Sequence, residues 1–251
     1  MNKIIAIGGG EIGRPGFPVE TTKIDKEIIK LSGKKKPSLL FIPTASADAE
    51  LYFDVVKKHF GKRLGCEVDV LWLIREKSTK REIEKKILSS DIIYVGGGNT
   101  LKMLRVWKKY GVDKILEKAK NRGIVLSGLS AGSICWFKYG LSDSRKFRNP
   151  DAGLIKVSGL GFLPALHCPH FDKEKDREDE LKQIMKRTTG VAIAMDNCAA
   201  IEFVDDTFRV ISSKPNAYVY KTYWAKEIYY KIVIIEEKNF RPVSELFEKD
   251  C

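Results

Sequence analysis

Residues 124–133 read Ile124-Val125-Leu126-Ser127-Gly128-Leu129-Ser130-Ala131-Gly132-Ser133, a G-x-S-x-G pattern directly after an apolar run. The apolar run predicts a strand, and the residues from Ile134 to Phe137 predict a helix after it. Strand, sharp turn and helix form the context in which a serine hydroxyl is lifted above the strand ends as a nucleophile. The free N–H groups and positive dipole end of the helix would favour an oxyanion beside it. A merely structural or phosphate-binding turn would use the same small residues. A serine nucleophile also needs a base, and the chain holds three histidines. His59 follows Lys57-Lys58 on a predicted helix and reads as a surface residue. His167 and His170 lie in Leu166-His167-Cys168-Pro169-His170-Phe171-Asp172. Proline keeps its predecessor extended and ends the strand, so His170 emerges at the strand end while His167 alternates inward. Strand ends are where open α/β sheets place their sites.

Gly96-Gly97-Gly98-Asn99-Thr100 closes another apolar run. Glycines there permit positive φ and close backbone approach, and Gly98 could offer an N–H opposite that of Ala131. A phosphate cradle is the rival, but the patterns that define one are missing. Gly8-Gly9-Gly10-Glu11-Ile12-Gly13 superficially resembles a dinucleotide fingerprint, yet Pro15-Gly16 argues against the helix such a fingerprint opens.

The elements that must position these residues alternate along the first half. Strands are predicted at Lys3–Ile7, Ser38–Ile42, Glu67–Leu73, Ile92–Val95 and Ile124–Ser127. Helices are predicted from Thr22, over Leu51–Leu64, from the Thr79/Glu82 capping box through Leu88, and over Leu101–Trp107 and Asp113–Asn121. Continuous apolar strands joined by helices imply a parallel sheet covered on both faces. Beyond about residue 190, Val191–Met195, Ala199–Val204, Phe208–Ser212, Ala217–Lys221 and Ile228–Ile235 predict an antiparallel meander at the sheet edge. No linker divides the 251 residues, so residues 1–251 are read as a single α/β domain.

Composition narrows the classes. With 43% hydrophobic and 31% charged residues, the chain is neither disordered nor a disulfide knot. The formal charge of +12 is scattered among acids rather than run together, so no nucleic-acid partner is expected. Five cysteines without a CxxC pair imply reduced thiols rather than a metal cage or disulfides. The first apolar run is too short for a signal peptide, and no run reaches the ~20 residues of a membrane span. A cytoplasmic protein without metal or organic cofactor, and without a membrane partner, is the expectation; a homodimer stays open.

Taken together, the Gly96–Thr100 loop, the Gly128–Ser133 elbow and Cys168-Pro169-His170-Phe171, in this order and spacing, resemble peptidase E, the aspartyl dipeptidase family of serine peptidases related to cyanophycinase. The resemblance runs to about Tyr220. It implies the class I glutamine-amidotransferase-like α/β sandwich, with serine where amidotransferases carry cysteine. It further implies Ser130 as nucleophile, His170 as base, Gly98 and Ala131 as oxyanion donors and Asn99 as substrate-binding. The orienting acid is open between Asp143 and Asp196, because Asn197 stands where the family's acid aligns. Arg177 aligns with an arginine that reads the substrate's acidic side chain. The implied substrate is a short peptide, a dipeptide with an N-terminal acidic residue. An amidase or transferase on the same scaffold, or a non-enzymatic basic binding protein, are the alternatives.

Overall fold

A computed structural model describes residues 2–173 and 177–250. The first half follows the expected alternation. β1 (Lys3–Ile7), β2 (Ser38–Ile42), β3 (Glu67–Val70), β4 (Ile92–Val95) and β5 (Val125–Leu129) are parallel neighbours in the order β1-β5-β4-β2-β3. β4 and β5 are buried along their whole length, which is why they read as unbroken apolar runs. Between them lie α1 (Thr22–Leu31), α2 (Glu50–Val56), α3 (Lys80–Leu88), α4 (Thr100–Tyr110) and α5 (Val112–Asn121). Thr79 and Glu82 form the capping box at α3, each satisfying an N–H the first turn leaves open. Residues Lys57–Arg63 continue α2 as a π-helical segment.

After β5 come the four-residue α6 (Ala131–Ile134), then β6 (Phe137–Ser142), β7 (Ile155–Ser158), β8 (Leu163–Cys168), α7 (Arg177–Met185) and β9 (Ala192–Met195). β10 (Ala199–Val204), β11 (Thr207–Ser212), β12 (Val219–Ala225), β13 (Ile228–Ile234), β14 (Arg241–Pro242) and α8 (Ser244–Phe247) complete the chain. β10, β11 and β14 extend the first sheet beyond β1 as its antiparallel edge. The fold is thus mixed α/β with a mostly parallel main sheet.

The meander itself divides between two sheets. β9, β12 and β13 join β8, β6 and β7 in a second sheet of order β13-β12-β9-β8-β6-β7. Phe137, expected on a helix, instead starts β6. One core cluster takes residues from both sheets, including Ile4 and Ala6 of β1, Trp136, Phe137, Ile193 and Tyr223, together with Trp107 and Leu116 of α4 and α5. That shared core ties the segment carrying His170 to the one carrying Ser130. No helix among the described residues is long and apolar enough to cross a membrane.

Candidate active site

Ser130 stands between β5 and α6 with φ 56° and ψ −116°. A non-glycine residue at positive φ costs roughly 1–3 kcal/mol and persists only where the surroundings impose it. They do so here. The Ser130 N–H donates to Ile7 O at 3.1 Å, and the N–H groups of Ser133 and Ile134 both donate to Ser130 O at 2.9 Å. Gly128 and Gly132 are forced as well, since a Cβ on either would press into the backbone of the other or of Val95.

His170 follows β8 and is likewise left-handed, with φ 53°. Its N–H donates to Gly8 O at 3.1 Å, pinning it to the turn after β1. The imidazole Nε2 lies 2.8 Å from Ser130 Oγ, and Nδ1 lies 2.6 Å from Asn197 Oδ1. With Nδ1–H donating to the amide oxygen, Nε2 is left to accept the serine proton, so the two bonds select one tautomer. Burial pushes the His170 imidazole below its ordinary value, opposed by the Asn197 bond; Arg177 lowers it further, while Asp143 and Asp172 raise it. At neutral pH the ring is therefore uncharged.

The side chain hydrogen-bonded to His170 Nδ1 is that of Asn197, not of either aspartate expected there. Asp196 turns the other way: its Oδ2 accepts from Tyr218 N–H at 2.9 Å and from the Tyr220 hydroxyl at 3.4 Å. Asp143 acts on the ring through its charge and makes no hydrogen bond to it among the described residues. An amide in the third position is chemically workable, because it can hold the imidazole tautomer without carrying charge.

Gly9 makes this pairing sterically possible. A Cβ there would overlap Asn197 Oδ1 and the His170 ring. The glycine run after β1, which resembled a nucleotide fingerprint, thus clears space for the histidine and its partner, and Gly9 O accepts the Cys198 N–H at 2.9 Å. Its signal in the sequence was a glycine run at a strand end, without a clue to what approaches it.

The glycine loop after β4 faces Ser130. Gly97 is the member in contact, since a Cβ on it would reach Ser130 Cβ at 3.5 Å. Gly98 (φ 135°) must be glycine because a Cβ would strike the backbone of Ala45. Of the loop's N–H groups, Gly96 donates to Ile42 O, Gly97 to the Tyr52 hydroxyl at 3.2 Å and Asn99 to Ala45 O. The Gly98 N–H has no acceptor among the described residues, and the Ala131 N–H opens α6 without one.

Three other sequence expectations meet different surroundings. Asn99 caps α4, its Oδ1 accepting from Lys102 N–H at 2.9 Å and its Nδ2 donating to Ser144 O at 3.1 Å, so both polar ends of the side chain serve the fold. Arg177 is 2% exposed, and its Nη1 donates to Pro169 O at 3.0 Å. It braces the turn that carries His170 and does not line the cleft. His59 is buried rather than on the surface, with Nε2 2.7 Å from Asp25 Oδ2, which also accepts from the Thr21 hydroxyl. His167 packs inward as expected, bonded to Ser133 Oγ and Ile193 O, and burial drives its pKa down to about 3. No group of three or more His, Cys, Asp or Glu side chains among the described residues is arranged to hold a metal ion.

Ser130 and His170 open onto a cleft of about 990 Å³. One wall is the loop from Gly10 to Phe17; the other is the α2 side with Leu51, Tyr52, Asp54, Val55 and Lys58. Glu11 organises the loop by accepting from Gly13 N–H, Arg14 N–H and Arg14 Nε. Phe17 and Leu51 stand exposed at the lips, and Arg14 and Lys58 are the cations of the lining.

A mixed α/β fold with a serine elbow, a histidine at hydrogen-bond distance and an open cleft above both defines the hydrolase class in which to look for relatives. Residues 4–211 match the model of Peptidase family S51. The chain belongs to that family, the peptidase E family, and is a peptidase by descent. It is 37% identical over 231 residues to the uncharacterized peptidase YgaJ of Bacillus subtilis strain 168, a match covering 90% of this chain and 94% of the relative. The uncharacterized peptidase Lmo0363 of Listeria monocytogenes EGD-e is 37% identical over 105 residues, 41% of this chain and 49% of its own. The crystal structure of a peptidase from an acI-B1 Actinobacterium superposes with a TM-score of 0.72 at 19% identity, covering 96% of this chain and 97% of that one, which shows the same fold.

Proposed function

We propose that the protein is a serine peptidase that cleaves short peptides by way of an acyl-enzyme. The observation that carries this reading is the chain Ser130 Oγ···Nε2 His170 Nδ1···Oδ1 Asn197, with bonds of 2.8 and 2.6 Å. Ser130 Oγ attacks the scissile carbonyl as its proton passes to His170 Nε2, forming the C–O bond. The developing oxyanion turns towards the N–H groups of Gly98 and Ala131, which have no acceptor among the described residues. Collapse breaks the C–N bond, and the proton on Nε2 leaves with the amine. Water repeats the sequence in the second half and frees Ser130. Asn197 keeps Nδ1–H in place throughout and stabilises the imidazolium by its dipole rather than by charge.

The substrate proposed is a dipeptide with an N-terminal acidic residue. Arg177 is turned towards Pro169, so the cleft cations Arg14 and Lys58 take the part of reading the carboxylate. A guanidinium whose Nε is already held by Glu11 is preorganised to present its other nitrogens. Hydrolysis across a dipeptide library, with the Ser130→Ala protein as blank, tests the reading. Preferential cleavage of Asp-Leu over Asn-Leu supports the acidic preference, and equal cleavage removes it. A library left intact by protein that is folded argues for an amidase acting on a non-peptide amide.

A further inference from the structure

Tyr52 is a cleft residue whose hydrogen bonding is half complete. Its hydroxyl oxygen accepts the Gly97 N–H at 3.2 Å, but its own proton has no acceptor among the described residues. The ring is held firmly: it meets Phe41 edge-on with centroids 5.0 Å apart, and Gly96 packs so closely over it that a Cβ would collide. Tyr52, Gly97, Ser130 and His170 line the same cleft, with Gly97 the bridge between the tyrosine and the serine. A phenol that accepts from the Gly97 N–H has its O–H left to donate into the cleft that Ser130 also lines. Burial pushes its ionisation up to about 12, so it stays a donor across the working pH range.

We infer that the Tyr52 hydroxyl is a third hydrogen-bond donor to the substrate carbonyl oxygen as it becomes an oxyanion. The inference rests on Ser130 being the nucleophile. No proton is transferred: the phenol keeps its hydrogen while the C=O oxygen gains charge, and the donation strengthens as that charge grows. Because the interaction belongs to the transition state, it acts on kcat rather than on KM.

The rate at which a fluorophosphonate labels Ser130 reads the same donors without requiring the natural substrate, since its P=O oxygen occupies the oxyanion position. Tyr52→Phe is expected to slow labelling roughly tenfold to hundredfold, with the label still on Ser130. A second variant carries 3,5-difluorotyrosine at position 52, which keeps the hydroxyl and its Gly97 contact but ionises more readily. It should introduce an alkaline limb in the labelling rate that wild-type protein lacks over the same pH range, because a phenolate cannot donate. A residue that only props up the Gly97 loop would produce no such limb. Unchanged labelling by Tyr52→Phe, or a difluorotyrosine protein with the wild-type pH profile, overturns the inference while leaving Ser130 as nucleophile. Wild-type protein that takes no label at Ser130 overturns the serine reading, and this inference with it.

Discussion

Replacing Asn197 with aspartate converts the observed amide partner of His170 into a carboxylate in the same place. In the present arrangement burial holds the imidazole below its ordinary value, and the amide oxygen 2.6 Å from Nδ1 offsets only part of that. A full negative charge at such range raises a neighbouring histidine by about 1–3 units. The lower half of that range applies here, about 1–2 units. Asp172 already accepts the residue-197 N–H at 2.8 Å, and Asp196 is adjacent in the chain, so the new carboxylate would be crowded by like charge and itself harder to ionise. With neutral His170 as the proposed base, kcat/KM rises as the ring loses its proton. Wild-type activity should therefore persist to acid pH, below the ordinary histidine range, and Asn197→Asp should move the acid limb of kcat/KM to higher pH by about 1–2 units. The assay is a pH series of initial rates on one cleaved dipeptide, from pH 4 to 9 or so. An acid limb at the wild-type position, or displaced towards lower pH, would refute the claim that residue 197 sets the basicity of His170.

Gly9→Ala should abolish most turnover, because its Cβ overlaps the His170 ring and Asn197 Oδ1; rates against wild type, with circular dichroism to confirm folding, check this. His59→Ala should destabilise by about 3–5 kcal/mol, since it strips the partner from the wholly buried Asp25 carboxyl; denaturant unfolding measures it. His167 is held neutral in the fold, with a pKa of about 3 against an ordinary 6.5. Stability from this group is fully present above about 6.5 and is lost as pH falls towards about 3, so His167→Gln should flatten that part of the Tm-against-pH curve relative to wild type. Ser130→Ala combined with His170→Ala should be barely slower than either alone, as kcat measurements on all three would show.

Strand positions were legible where the parallel strands are buried on both faces and read as continuous apolar runs; β1, β2 and β4 fall where those runs do. The second sheet was hidden by β6 and β7, which alternate as Phe137-Lys138-Tyr139 and Ile155-Lys156-Val157 over only a few residues. Phe137 also abuts the elbow, where a longer helix than α6 is the natural expectation. His59 escaped because the Lys57–Arg63 stretch is π-helical, and a turn of different pitch changes the face each residue presents; Lys57 and Lys58 lie outside while His59 and Phe60 lie inside. Ser130 and His170 were legible as types in a context. Asn197 was not, because an acid is the usual partner of a histidine base, and the adjacent Asp196 drew the expectation one residue away. Arg177 shows the same limit: an arginine among Lys and Glu reads as exposed or ligand-binding, and nothing local reveals that its guanidinium is buried against Pro169 O.

Whether Ser130 is a nucleophile activated by His170 is decided by peptide mapping after fluorophosphonate treatment. A single covalent adduct is expected on the peptide that contains Ser130 in wild-type protein, with its loss in Ser130→Ala and labelling slowed by orders of magnitude in His170→Ala. An adduct on another residue, or labelling of Ser130 at the same rate with and without His170, would contradict it.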